Sequence, residues 1–300
     1  MKIAILSKGP GNYSTKRLKE EAIKRGHEVR IVNYAQCYVS LERGNPVVNY
    51  RGEEIRDVDV IIPRIAPSLT RYGSAIVRQF EMQNVYTTTS SIAIVRSRDK
   101  LRSMQLLAKA GVDIPKTVFA RETADVDDVL EQIGGAPVII KVARGTQGNG
   151  VVLAETRKAA KAVMQAFYVE GVNFLVQEYI EESAGEDVRA FVVNGKVVAS
   201  MKRQSLDDDF RSNIHQGGEG KPVKLTDEER KTAQKAAKAM GLTICGVDMV
   251  RSSRGPLVLE VNSSPGFAIE KVTGHNVAEK ILDYIEQNAK GKRRKDKIGA

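Results

Sequence analysis

Two acidic residues and an amide, Asp248, Glu260 and Asn262, are set into the apolar runs Gly246-Val247-Asp248-Met249-Val250 and Leu257-Val258-Leu259-Glu260-Val261-Asn262. Strand alternation puts Glu260 and Asn262 on one face, away from Leu257, Leu259 and Val261. If Ser252 to Pro256 turn the chain so that the runs pair antiparallel, Asp248 falls nearly opposite Glu260, where like charges repel. A hard cation between them removes the conflict, and two carboxylates with an amide oxygen are the ligand type that magnesium or manganese prefers. The plainer reading is a hairpin with acidic residues on a wet face.

A second set is Gly145-Thr146-Gln147-Gly148-Asn149-Gly150, between two strand-like runs. Its glycines free the backbone to fold over an anion with N–H groups pointing inward. The spacing is neither a P-loop nor a dinucleotide fingerprint, because a strand and not a helix follows, so an ordinary hairpin turn stays open. Lys141, at the end of the buried run Pro137-Val138-Ile139-Ile140, favours the phosphate: a lysine there is costly unless its ammonium meets an anion or snorkels to the surface. A third set is arginine. Arg189, Arg203 and Arg211 each read alone as surface ion pairs, yet converging on one site their forks would hold carboxylate or phosphoryl oxygens. His215 has no nucleophile or acid at triad spacing, so no triad is expected.

These residues need a scaffold, and the composition provides for one. With 300 residues, 42% of them hydrophobic, the chain can bury a substantial core in two compact domains or one large one. No run of about 18 apolar residues occurs, and Met1-Lys2-Ile3-Ala4-Ile5-Leu6-Ser7 reads as a strand instead of an export signal, so a cytoplasmic protein with no membrane partner is expected. Two cysteines, Cys37 and Cys245, lie far apart with no ligand-spaced neighbours, which argues against disulfides and zinc. The net charge of +10 invites nucleic acid as a partner, but part of it lies in the tail Lys290-Gly291-Lys292-Arg293-Arg294-Lys295, and aromatics are scarce at 5%.

Periodicity orders the chain. Lys2–Ser7, Glu28–Tyr34 and Val58–Ile65 read as strands of a small parallel α/β domain, the first two joined by a helix that Ser14 caps and Gly26 stops. Helices follow at Ser68–Asn84 and from Asp99 to Gly111. Strands are then expected at Pro137–Val142, Val151–Glu155 and Phe174–Ile180, and a hairpin at Val188–Val193 and Lys196–Met201 around Asn194-Gly195. The polar stretch Ser205–Lys221 reads as an ordered loop or lid. Thr226–Met240 is helical, Ile244–Val250 and Leu257–Ser263 are strands, and a last helix runs to about Ala289.

In one order along the chain come Lys141 with its glycine loop, Val176-Gln177-Glu178-Tyr179-Ile180, Asp187-Val188-Arg189, Arg211-Ser212-Asn213 and the Asp248, Glu260, Asn262 set. That order resembles an ATP-grasp ligase. Pro63-Arg64-Ile65, Arg78-Gln79-Phe80-Glu81-Met82, Arg98-Asp99-Lys100-Leu101-Arg102 and Val261-Asn262-Ser263-Ser264-Pro265-Gly266 extend the resemblance over nearly the whole chain, to the RimK-type ligases. It implies an α/β (α+β) ATP-grasp fold: a pre-ATP-grasp parallel α/β domain at 1–97, an ATP-grasp domain at 98–289, and a disordered basic tail at 290–300.

By position, the resemblance implies that Lys100 and Lys141 contact ATP phosphates, that Glu178 and Tyr179 hold the adenine, and that Asp187 contacts the ribose. Arg211, Ser212 and Asn213 would lie near the phosphates. Asp248, Glu260 and Asn262 would bind two divalent ions, magnesium or manganese, and Arg189 and Arg203 would act on the transferred phosphoryl group. The implied reaction adds glutamate to the C-terminal carboxylate of a small-subunit ribosomal protein through an acyl phosphate, and extends to poly-glutamate. A homo-oligomer, a tetramer, is also implied, with no need for direct nucleic-acid binding. Departures from the family pattern fall at Arg144, at Gln216 and in the shortened stretch Phe267-Ala268-Ile269-Glu270, the last two where the resemblance would place acceptor or amino acid. Competing readings are a ligase of this fold using another amino acid, a carrier protein or a small molecule, and a basic ribosome- or RNA-binding protein without catalysis.

Overall fold

The structure is a computed structural model that describes residues 1–120, 126–143, 150–183, 185–205 and 219–289. Its first layer is a parallel sheet. Strand β1 (Lys2–Ser7), helix α1 (Tyr13–Lys24) and strand β2 (Glu28–Val32) make a βαβ unit, with Thr15, Leu18 and Ala22 of α1 buried. Gly26, at φ +78, turns the chain out of the helix, but Ser14 does not cap it. Asn12 occupies the cap position without a side-chain bond, and the Ser14 hydroxyl accepts a hydrogen bond from Arg64 instead.

The chain next builds a three-stranded antiparallel sheet from β3 (Cys37–Glu42), β4 (Asn45–Tyr50) and β5 (Glu53–Ile55), absent from the sequence reading. It returns through β6 (Val60–Arg64), α2 (Thr70–Met82) and β7 (Tyr86–Thr87), completing a four-stranded sheet of order β2-β1-β6-β7. Two helices follow where one was expected. Ser90 caps α3 (Ser91–Arg98), and Asp99 both ends it and caps α4 (Lys100–Lys109) by accepting from the Arg102 amide at 3.0 Å.

The second layer holds β8 (Thr117–Ala120), α5 (Val126–Ile133), β9 (Val138–Val142), β10 (Val151–Ala154), α6 (Arg157–Val169) and β11 (Phe174–Glu178), with strand order β10-β9-β11-β8. Alternation divides its faces: Val138, Ile140, Phe174 and Val176 pack on α5 and α6, leaving Ile139, Lys141, Leu175 and Gln177 for the opposite face.

Third comes the hairpin of β12 (Glu186–Val193) and β13 (Lys196–Gln204), whose turn residues Asn194 and Gly195 have φ +50 and +71, the left-handed pair a tight hairpin demands. Strand β14 (Glu219–Pro222), helix α7 (Asp227–Met240) with its Thr226–Glu229 capping box, and strands β15 (Ile244–Ser252) and β16 (Gly255–Asn262) follow. The sheet order is β14-β13-β12-β15-β16, and α7 covers one face through Ala233, Ala237 and Met240 against Val188, Ala190, Val247 and Val258. The expected loop at Ser205–Lys221 is therefore strand at its far end, because Arg203 and Lys202 pair with Gly220 and Lys221; the rest of it, 206–218, lies outside the described residues.

Helices α8 (Ala268–Thr273) and α9 (Val277–Asn288) then run back to the first layer, where Val277, Ile281 and Ile285 share a core with Ile3, Ile5, Leu18 and Ile62. Among the described residues, no helix is long and apolar enough to cross a membrane.

Candidate active site

The second and third layers turn their uncovered faces toward a cavity of about 1230 Å³ that the N-terminal layer closes on a further side. The described residues to which the resemblance gave ATP, metal or phosphoryl-transfer roles line it: Lys100, Lys141, Glu178, Tyr179, Asp187, Arg189, Arg203, Asp248, Glu260 and Asn262. Arg211, Ser212 and Asn213 lie outside the described residues, as do most of the glycine loop, Arg144, His215, Gln216 and the basic tail.

Sheet register assembles the charged set. Arg189 on β12 pairs with Asp248 on β15, and Asp248 with Glu260 on β16, so three charged residues form one row across the sheet. One row along, Asp187 pairs with Arg203. Side chains follow the backbone: Arg189 Nε and Nη2 donate to Asp248 Oδ1 and Oδ2 at 2.6 and 2.5 Å. Arg203 Nε donates to Asp187 Oδ1 at 2.6 Å, its Nη2 bonds the second oxygen, and that same nitrogen stands 3.0 Å from Asp248 Oδ2.

Burial works against the charge of Asp248, but Arg189 and then Arg203 hold its carboxyl well below the usual range. The Arg203 guanidinium, equally penalised by burial, is held above its ordinary value by Asp248 and Asp187. Glu260 is the opposite case. Enclosure within the cavity and then the facing Asp248 raise its pKa, with the amide of Asn262, donating to Oε1 at 2.8 Å, as the chief stabiliser. Turning that amide over would present Oδ1 instead.

One sequence expectation fails here. Leu259 was to lie opposite Glu260, yet both line the cavity. Asp248 faces Glu260 while Met249 faces Val258, so a β-bulge leaves Leu259 unpaired and breaks strict alternation.

Across the cavity, Lys141 donates to Gln177 Oε1 at 2.6 Å, and burial pushes its pKa down to about 8, with Glu260 opposing and Lys100 adding to the fall. Lys100, lowered mainly by burial, donates to the Val142 carbonyl at 3.2 Å. Gln177, buried in β11 and donating to Thr117 at 2.9 Å, is named in the sequence only as part of a motif and without a role, although a polar residue inside an apolar strand is a signal in itself. The Glu178 carboxylate accepts from the Lys116 amide at 2.7 Å and from Arg254, fixing the end of β11. Among the described residues no group of three or more His, Cys, Asp or Glu that could hold a metal ion is found.

The sequence family of RimK-like ATP-grasp domains matches residues 97–285, and that of RimK pre-ATP-grasp domains matches residues 1–94. The chain belongs to the RimK-like ATP-grasp family. Proteins named probable alpha-L-glutamate ligase from Aliivibrio fischeri and Vibrio cholerae are 56% and 55% identical over 296 residues, covering 98% of this chain and of each relative. A Shewanella denitrificans protein named probable alpha-L-glutamate ligase 2 is 53% identical, covering 99% of both chains. Among solved structures, the ATP-grasp ligase PsnB with minimal precursor, Mg and ADP superposes with a TM-score of 0.73 at 18% identity, over 96% of this chain and 98% of that one. D-cycloserine synthetase DcsG does so at 0.75 and 16%, over 97% and 100%. These two show the ATP-grasp fold.

As a member of this family the protein is an ATP-dependent ligase, and ATP-grasp ligases work with ATP and magnesium. The cavity fits both. Lys141 has no carboxylate within ion-pair distance among the described residues, so a phosphate would supply its missing counter-charge. Facing carboxylates of Asp248 and Glu260 supply hard oxygen donors for a divalent cation.

Proposed function

We propose that this RimK-like ligase joins the amine of glutamate to a carboxylate, with the C-terminal tail of a small-subunit ribosomal protein as acceptor and poly-glutamate as a further product. The observation that carries the reading is the opposition, across one cavity, of the Lys100 and Lys141 ammonium groups and the Asp248–Glu260 carboxylate pair. The printed names of relatives more than half identical over nearly their whole length support glutamate as donor. The net charge of +10 suits an acidic acceptor or product, and a ribosomal acceptor puts the reaction in the cytoplasm.

A carboxylate is a poor electrophile at neutral pH. Its oxygen attacks the γ-phosphorus of ATP, ADP leaves, and the acyl phosphate so formed is attacked at carbon by the amine, expelling phosphate and leaving an amide. Positioning and electrostatics suffice for this. We assign Lys100 and Lys141 to the phosphates, Glu178 and Tyr179 to the adenine end and Asp187 to the ribose. The apolar residues Ile139, Leu175 and Leu259 offer the base a slot between the sheets.

Asp248, Glu260 and Asn262 are assigned to two ions of magnesium or manganese, which would neutralise charge on the β- and γ-phosphates. Arg203 anchors Asp187 and Asp248 in place, and Arg189 shares Asp248 with it. Both thus position the ligand set as well as adding positive charge near the transferred group.

Purified protein incubated with ATP, magnesium and glutamate, with and without the ribosomal protein's C-terminal peptide, is assayed for ADP and product mass. Additions of one glutamyl unit each are expected, and they vanish in Glu260→Ala. Turnover only with another amino acid would replace the donor; absence of ADP with every amino acid would end the ligase reading.

A further inference from the structure

The wall that the N-terminal sheet gives the cavity carries cations that the nucleotide and metal assignments do not use. Arg64 ends β6 beside Ser7, the end of β1, at the carboxyl edge of the parallel sheet. Ligands bind at that edge in open parallel sheets. Arg64 Nη2 donates to Ser14 Oγ at 3.0 Å and to the Pro265 carbonyl at 2.7 Å, and its guanidinium lies 5.2 Å from the Phe267 ring centroid. Arg98, at the end of α3, donates from Nη2 to the Ile65 carbonyl at 3.1 Å, while its Nε is buried with no acceptor.

Among the described residues neither guanidinium forms an ion pair with a carboxylate. Burial and then the proximity of Arg98 push Arg64 down to about 10, and burial lowers Arg98 as well, against the pull of Glu260. Two more polar groups are stranded alongside: the hydroxyls of Ser263 and Ser264 are buried without partners among the described residues, and Ser264 lines the cavity with both arginines. Like-charged groups enclosed together with hydrogen-bonding capacity to spare are destabilising until an anion joins them. This is the reverse of the Asp248–Glu260 pair. There two carboxylates face each other across a sheet, and here two guanidiniums lie close together.

We propose that Arg64 and Arg98 form a carboxylate-binding subsite on the N-terminal wall, which takes either a carboxylate of the incoming amino acid or the chain-end carboxylate of the acceptor. The inference rests on the ligase reading and adds to it a place for a substrate. Arginine forks meet carboxylates through two parallel N–H donors, and the orphaned Arg98 Nε offers one of them. Lys100 and Lys141 reach the cavity from beside β9 and β11, so the ATP phosphates and this carboxylate have separate cationic partners. Arg71 and Arg78, exposed on one face of α2, line the same cavity and extend the positive wall outward for an acidic peptide.

Calorimetry tests this on the full chain saturated with magnesium and a non-hydrolysable ATP analogue, titrated with L-glutamate or with a synthetic peptide ending in Glu-Glu. Arg64→Gln and Arg98→Gln are expected to weaken one of the two ligands about 10- to 100-fold, as loss of a charged fork does. Affinity for the ATP analogue should stay within about twofold, and Arg98→Lys, which keeps charge but loses the fork, should fall between. Loss confined to glutamate assigns the subsite to the donor, and loss confined to the peptide assigns it to the acceptor. Melting temperatures check folding; Arg98→Gln removes a single hydrogen bond and serves if Arg64→Gln unfolds. The proposal is overturned if both ligands bind Arg98→Gln as they bind the unaltered protein, if the ATP analogue weakens equally, or if the unaltered protein binds neither ligand. Failure of the ligase reading looks different, because the unaltered protein would then release no ADP with any amino acid.

Discussion

Asp248 and Glu260 stand directly opposite each other on β15 and β16, and the bulge beside them turns Leu259 to their side of the sheet. The first carboxylate is neutralised by two arginines, whereas the second bonds an amide, faces a like charge and draws only smaller compensation from Arg189. Glu260→Gln should therefore leave the ligand-free protein as stable as before or slightly more so, since it removes a repulsion. With magnesium and ATP the order reverses. The unaltered protein should melt higher by the linkage of ligand to folding, while the variant gains little and turns over about 100- to 1000-fold more slowly. Thermal melts with and without magnesium–ATP, alongside ADP release, read both effects.

Arg203 and Asp187 form a pair buried to 3% and 6% exposure. Arg203→Met should destabilise the fold by about 3–5 kcal/mol, because it takes a buried ion-pair partner from Asp187 and weakens the hold on Asp248. Joining it to Asp187→Leu should recover a large part of that loss. Urea unfolding of both singles and the double variant closes the cycle, and simple addition of the two losses would show the pair to be energetically uncoupled.

Lys141 titrates near pH 8 when no ligand is present, against 10.5 for an ordinary lysine. Between these values the unfolded chain holds a proton that the folded chain has released, so this group makes the ligand-free protein more stable as pH rises through the window. A phosphate restores the proton. Binding of an ATP analogue should thus take up close to one proton at pH 9 and far less at pH 7, as read from binding enthalpies in buffers of different ionisation heat. Lys141→Met should abolish the difference.

Gly150 holds the neck of the β9–β10 hairpin at φ +73, and a Cβ there would come within 2.3 Å of Val142 Cγ2. Gly150→Ala should cost about 1–3 kcal/mol of stability. It should also weaken ATP, since Val142 carries the carbonyl that Lys100 bonds. Denaturant unfolding and nucleotide titration separate the two consequences.

What could be read in advance, and what could not, follows from the range of the forces involved. The Asn194-Gly195 turn, the helix beginning at Thr226 and the facing of Asp248 and Glu260 are set by nearby residues, and all were legible. The β3–β5 sheet was not, because Tyr38, Val39 and Leu41 stay exposed and its strands lack the clean alternation that marks a buried face. The Leu259 bulge escaped because alternation in a single strand carries no record of its partner's register. The partnerships of Arg203 with Asp187 and of Arg189 with Asp248 depend on which strands become neighbours, so the sequence marks the arginines as candidates without their anchors.

The closing helix α9 packs against the opening helix α1, and Arg17 bonds Glu270 across 253 residues of sequence. Tyr86 meets Tyr284 across 198. A ribosome making this chain therefore releases its first strands long before the residues that cover them exist. The N-terminal layer must wait, partly uncovered, until α9 is out, and apolar strands left exposed in that interval attract chaperones and proteases. Truncation ahead of α9 would make that interval permanent, so a nearly full-length fragment should behave worse than its missing length implies.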